Sequence, residues 1–177
     1  MTPNRFRNSR AALLALALTL PVCAQALPED DAQQANSEDF ASLDLNLNAG
    51  EWVQKAHADR PTCLTQGSRK VCGAEIRIQR NEDGTLKKVT ATGTPANFQQ
   101  QPEANAAVVY FSGRTLVFDQ DAQLLTIDGD AQFEQGSTSL NHEHFEYHLD
   151  TGDIKADAGG TDERGHMSFT PDAAGTE

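Results

Sequence analysis

Residues 64–78, LTQGSRKVCGAEIRI, and residues 133–147, FEQGSTSLNHEHFEY, align without a gap. Gln66-Gly67-Ser68 falls on Gln135-Gly136-Ser137, Val71 on Leu140, Ile76 on Phe145 and Ile78 on Tyr147. With one residue of slack, VTATGTPANFQQ (89–100) also matches LTIDGDAQFEQ (125–135), so that Gly93 meets Gly129 and Phe98 meets Phe133. The repeated unit is an apolar-alternating strand, a Gln-Gly corner and a second such strand. A hairpin of this kind has one apolar face and cannot bury it alone, whereas stacked copies bury a continuous strip. The repeat therefore predicts an all-β chain, an elongated stack or jelly roll of antiparallel hairpins with an open edge at each end.

Working outward, the rest of the middle of the chain carries the same period. Leu116 and Phe118 alternate with Thr115 and Val117, and Leu125, Ile127, Gly129, Ala131 and Phe133 sit at spacing two. Phe145, Tyr147 and Leu149 alternate with polar residues. A period of two means one buried face and one wet face. Asp83-Gly84 breaks RIQRNEDGTLKKV into a hairpin, and turn signals recur at the roughly 8–12-residue spacing of sandwiches and barrels. No stretch here carries a capped helical stripe. Folding CLTQGSRKVC about Gly67-Ser68 sets Leu64 opposite Val71 and Cys63 opposite Cys72. Directly opposed positions lie close enough to bridge, so a Cys63–Cys72 disulfide is expected as a local staple. The other reading is two free thiols buried as small apolar residues.

The ends differ in character. Residues 1–26 hold Arg5, Arg7 and Arg10, then the apolar run AALLALALTL (11–20), then the small-x-small site Ala24-Gln25-Ala26. This is the layout of a secretory signal peptide, and the run is too short to span a membrane. Cleavage is expected after Ala26, for export to the periplasm. Cys23 follows Val22 and Pro21, a poor setting for lipid attachment. The full chain has 14 basic and 26 acidic side chains in 177 residues, a net charge of −12. Losing the leader removes three arginines and leaves 11 against 26, or −15. That balance excludes nucleic-acid binding through a broadly basic surface. Residues 27–38 are acidic and aperiodic and read as a flexible N-terminal segment. Residues 158–177 are rich in Gly and polar side chains and read as a disordered tail, which leaves 39–157 as the β domain.

Several stretches together resemble the LptA/OstA-like family: LTQG at 64–67, DGTLKKVTATGTPANFQQQPE at 83–103, FDQDAQLLTIDGDAQFEQG at 118–136 and YHLDTGDIKA at 147–156. The likeness covers about 60–157 in the family's order; residues 39–59 match less well, and the Cys63/Cys72 pair is not part of the pattern. It implies a slightly twisted β-jelly roll open along one side, in the periplasm. It also implies binding of the lipid A part of lipopolysaccharide and a place in a hydrophobic bridge between the membranes. The implied partners are the inner-membrane lipopolysaccharide ABC transporter complex, through LptC, the outer-membrane translocon LptD/LptE, and further copies of the chain stacked head to tail. No catalysis and no cofactor are implied. The edges for stacking are expected from 40–47 and 145–156.

The inward face expected to line a lipid groove comprises Ile76, Ile78, Val89, Ala91, Phe98, Leu116, Phe118, Leu125, Ile127, Phe133, Leu140, Phe145 and Tyr147. On pattern alone these residues fill a dry core; the resemblance adds the role of conduit, in which each buried CH₂ contributes ~0.8 kcal/mol. The acidic net charge would repel lipid A phosphates unless only the acyl chains enter. Two rival readings attach to other features. His142, His144 and His148, with Glu146, would share one face of a regular strand, and His-x-His can hold zinc. Exposed end strands could equally make a self-associating structural protein with no lipid cargo. The sequence holds no G-x-S-x-G, P-loop or dinucleotide fingerprint, which argues against an enzyme. Trp52 lies near the first strands, as a packing residue or a ligand contact.

Overall fold

The computed structural model describes residues 30–156 and 165–169. After a single 3₁₀ turn (Asp30–Ala32), twelve strands follow: β1 (Ala35–Glu38), β2 (Phe40–Asn46), β3 (Glu51–Ala56), β4 (Thr62–Gln66), β5 (Arg69–Gly73), β6 (Glu75–Arg80), β7 (Leu86–Gln100), β8 (Val109–Asp119), β9 (Leu124–Gln135), β10 (Thr138–His148), β11 (Ile154–Lys155) and β12 (His166–Phe169). All pair antiparallel in one sheet that does not close. The all-β stack expected from the repeat, and the open, twisted β-jelly roll implied by the resemblance, are the observed fold.

The sheet doubles over on itself. Residues 86–92 of β7 pair with β6, while 97–99 pair with β5. The first leaf thus holds β2, β3, β6, 86–92, 115–119, 124–128, 144–148 and β11. The second holds β1, β4, β5, 96–100, 109–112, 131–135, 138–142 and β12. Long strands cross from one leaf to the other along a single fold line. Pairing there slips between Thr92 and Ala96, Ser112 and Thr115, and His142 and His144. The aligned repeat breaks at matching points: Ala74 separates β5 from β6 where the pairing of β10 slips at Glu143. Tight packing at the line explains its glycines. A Cβ on Gly113 would stand 2.6 Å from Ile127 Cγ2, and Gly129 holds φ at +80°, a conformation glycine adopts without the Cβ clash.

In β7 and β8 the slip also inverts which residues face inward, whereas β9 keeps its alternation from Leu125 to Phe133. In β8 the buried positions are Val109 and Phe111 before Gly113, then Leu116 and Phe118 after it. Sequence alternation finds the second pair and misses the first. Aromatic contacts hold the leaves face to face: the Phe111 ring lies 5.1 Å from Phe133 in its own leaf and 5.0 Å from Tyr147 in the other.

The hairpin at Gly67-Ser68 has the expected register, Cys63 opposite Cys72 and Leu64 opposite Val71. Cys63 and Cys72 are joined in a disulfide across it, with Cα atoms 4.2 Å apart.

Both ends correct the sequence reading. Residues 30–38 are not a loose segment: Asp30 is buried, and β1 pairs with β4 from Ala35 to Glu38. Acidic composition suggested solvation, but the acids find cationic partners described below. At the other end, residues 166–169 pair with 138–141 of β10, so part of the supposed tail is an edge strand. The leader and the site after Ala26 lie outside the described residues. β2 (Phe40–Asn46) is an edge, as anticipated, and among the described residues pairs only with β3. It exposes Phe40, Leu43 and Leu45, and Leu47 follows it in the turn. The far edge is shared by β11 in the first leaf and β12 in the second, where Met167 and Phe169 are exposed.

A candidate lipid slot between the two leaves

Opposite the fold line, every hairpin tip lies along one side, so two rows of turns form the lips of a seam. Turns 47–50, 81–85, 120–123 and 149–153 border the first leaf. Turns 67–68, 101–108 and 136–137 border the second. Between the leaves runs one continuous apolar strip. Ile76, Ile78, Val89, Ala91, Phe98, Leu116, Phe118, Leu125, Ile127, Phe133, Phe145 and Tyr147 are all buried in it, and Leu140 is half-buried against it. The expected lining left out Leu64, Val71, Ala96, Val109, Phe111 and Ala131, which belong to the same strip. The strip is closed here: these side chains pack on one another rather than on an open channel.

Among the described residues, openings along the seam reach it at two places. Towards the β1/β2 end, a slot of about 430 Å³ is walled by Trp52, Leu64, Ile78, Arg80 and Leu86, with Asp31 and Gln33 on its rim. Its volume falls in the range of small-ligand sites. Towards the β11 end, a second opening of about 290 Å³ is walled by Val109, Tyr147, Leu149 and Ile154. Trp52, left open by the sequence, serves as packing against the core and as wall of the larger slot.

Between the openings the N-terminal segment straps the lips together. The Asp30 carboxylate accepts hydrogen bonds from the Ser68 backbone N–H (2.7 Å), the Ser68 hydroxyl (2.8 Å) and Gln100 Nε2 (3.2 Å), all on the second leaf. Asp31 pairs with Arg69 Nη1 and accepts from Gln123 Nε2 (3.1 Å), which belongs to the first leaf. Arg69 is central. Its Nε lies 3.3 Å from Asp30 Oδ2, Nη2 donates to Gln123 Oε1 at 3.3 Å, and the guanidinium stacks on the Phe118 ring across the seam. Burial raises the Asp31 carboxyl pKa. Hydrogen bonds from Gln120, Arg69 and Gln123, with the Arg69 charge, outweigh it and hold the group below its usual range.

The histidines do not form the expected shared face. The bulge sets His142 opposite buried Ala131, on the inward side, where its ring lies 6.0 Å from Phe145. His144, opposite exposed Asp128, contacts that carboxylate at 2.6 Å through Nδ1. Strict alternation across 142–148 puts both rings on one side; the register slip at Glu143, which stands opposite both Gly129 and Asp130, separates them. Among the described residues no cluster of three or more His, Cys, Asp or Glu is arranged to hold a metal.

Residues 63–153, just over half of the chain, match the family model described as LptA/(LptD N-terminal domain) LPS transport protein. The chain belongs to this family. Among curated proteins it is similar to the lipopolysaccharide export system protein LptH of Pseudomonas aeruginosa, 27% identical over 136 residues, which covers 76% of this chain and 75% of LptH. Among solved structures it is similar to P. aeruginosa LptH, described as the LptA-homologous periplasmic component of the conserved lipopolysaccharide transport device. The TM-score is 0.72 at 22% identity, over 81% of this chain and all of that one. That structure shares the fold.

Proposed function

We propose that this member of the lipopolysaccharide transport family is a periplasmic carrier that holds lipid A acyl chains between its two leaves. The observation that carries the proposal is the apolar strip, continuous from Trp52 on β3 to Ile154 on β11 and reached by openings along one seam. A strip with open edges at both ends can be extended by another jelly roll, since each edge strand offers unpaired backbone groups. The apolar side chains of β2 and the β11/β12 pair support head-to-tail stacking of copies. In the same reading, the chain takes its lipid from the inner-membrane transporter complex through LptC and passes it to LptD/LptE. Binding and release then need complementary apolar surface rather than a catalytic group or a cofactor, and periplasmic residence follows removal of residues 1–26.

Acyl contact makes affinity follow chain length more than ionic strength. Shortening one buried acyl chain by two carbons should weaken binding roughly tenfold, at ~0.8 kcal/mol per CH₂. Raising salt from about 50 to 200 mM should change it only a few-fold, because few charges meet the lipid. Titrations of the protein with lipid A species of different acyl length, at both salt levels, check this. Affinity indifferent to chain length and falling steeply with salt would overturn the acyl-chain reading.

A further inference from the structure

Five arginines lie among the described residues, and four are spent on carboxylates. Arg60 meets Asp39 and Asp59, Arg69 meets Asp30 and Asp31, Arg77 meets Glu51 and Glu75, and Arg114 meets Asp130 and Glu143. Arg80 pairs with no carboxylate among the described residues. In a chain with 26 acids against 14 bases this is not for want of acids. Its guanidinium lies instead 4.4 Å over the Trp52 ring, at the end of β6, in the wall of the larger slot. Arg80 Nε and Trp52 Nε1 are both buried with no hydrogen-bond partner among the described residues. Buried donors are ordinarily satisfied, so two such atoms on residues that wall one slot point to a missing acceptor.

We propose that Arg80 is the anion-binding residue of this slot: it takes a phosphate of lipid A while the adjoining acyl chain lies against Trp52, Leu64, Ile78 and Leu86. The inference rests on the carrier reading above and names the polar half of its ligand. Stacking on Trp52 fixes the plane of the guanidinium, so the fork that binds a phosphate through two parallel N–H groups is preorganised. Two acids share the slot. Asp31 is engaged by Arg69 and Gln123, whereas Asp121 sits on the rim without an ion pair to Arg80. The local balance therefore suits one phosphate group.

Trp52 is the sole tryptophan of the chain, so its emission reports occupancy of the slot directly. The test titrates the purified protein with bisphosphorylated lipid A and with the same lipid A after enzymatic dephosphorylation, for the native chain, Arg80→Gln and Arg80→Lys. Expected for the native chain is about a tenfold preference for the phosphorylated form, the scale of one charge-assisted contact. Arg80→Gln, shown to be folded by its β-sheet circular dichroism, should bring that ratio to about one. Arg80→Lys should keep part of the preference, since it retains charge but loses the fork. A tenfold ratio surviving in Arg80→Gln overturns the phosphate site and leaves the carrier reading standing. Failure of the native chain to bind either lipid overturns both.

Discussion

Phe111→Ala should cost about 3–5 kcal/mol of folding stability, the scale of removing a buried aromatic ring. The residue is central to the joint between the leaves. Its ring touches Phe98 and Phe133 in the second leaf and Phe145 and Tyr147 in the first. No neighbouring side chain can collapse into the gap without parting the leaves, so the cavity term should add fully to the transfer term. Urea unfolding with a common slope for both proteins checks the magnitude. By contrast, Tyr110→Ala, at the next residue but half-exposed on the outer face, should shift stability by less than about 1 kcal/mol. A Phe111 effect as small as the Tyr110 effect would mean that the leaves do not depend on each other.

The second large effect is expected at the strap. Arg69→Leu should destabilise the protein by about 3 kcal/mol, because it strands the Asp30 carboxylate in a buried site without its counter-charge. Asp30 keeps its bonds from Ser68 and Gln100, which places the cost at the low end of the range for breaking a buried pair. Arg114→Leu is the internal comparison. That ion pair is solvent-exposed and should be worth at most about 1 kcal/mol. The strap also has a pH signature. The native Asp31 pKa lies below its ordinary 3.8, so its contribution to stability is present above that value and lost as pH falls through the depressed native pKa. Arg69→Leu should blunt this acid loss. Hydrogen exchange of residues 30–38 should accelerate in the same variant, as the segment comes free of the seam. Unchanged exchange there, with stability intact, would show that the strap is not held by Arg69.

Much of this architecture was legible before any coordinates. The gapless repeat gave the hairpin unit and its corners, and it placed Ile76 with Phe145 and Ile78 with Tyr147 on one face. It also contained the fold line, because Gly73-Ala74-Glu75 aligns with His142-Glu143-His144. That meaning was not legible, since a bulge looks like any other residue until strands are paired. The same blind spot hid Phe111 and Val109, whose parity is opposite to that of Leu116 and Phe118, and it wrongly gathered the histidines on one face. The N-terminal strap was missed for a different reason. PEDDAQQ reads as solvated chain because its partner, Arg69, is distant in sequence and is brought to the seam only by the Gln-Gly corner of the first repeat. Arg80 carried no local signal either. Its interest arises from what it lacks, a carboxylate partner, and pairing is a property of the fold.

The carrier reading depends most on whether the closed strip between the leaves accepts acyl chains. Native mass spectrometry of the purified protein mixed with lipopolysaccharide, with an ordinary phospholipid as control, addresses this directly. Expected are adducts selective for lipopolysaccharide that disappear in Phe118→Asp or Phe133→Asp, each verified as folded by its β-sheet circular dichroism. A folded native protein that forms no selective adduct, or variants that bind as well with a charge in the strip, would contradict the carrier account.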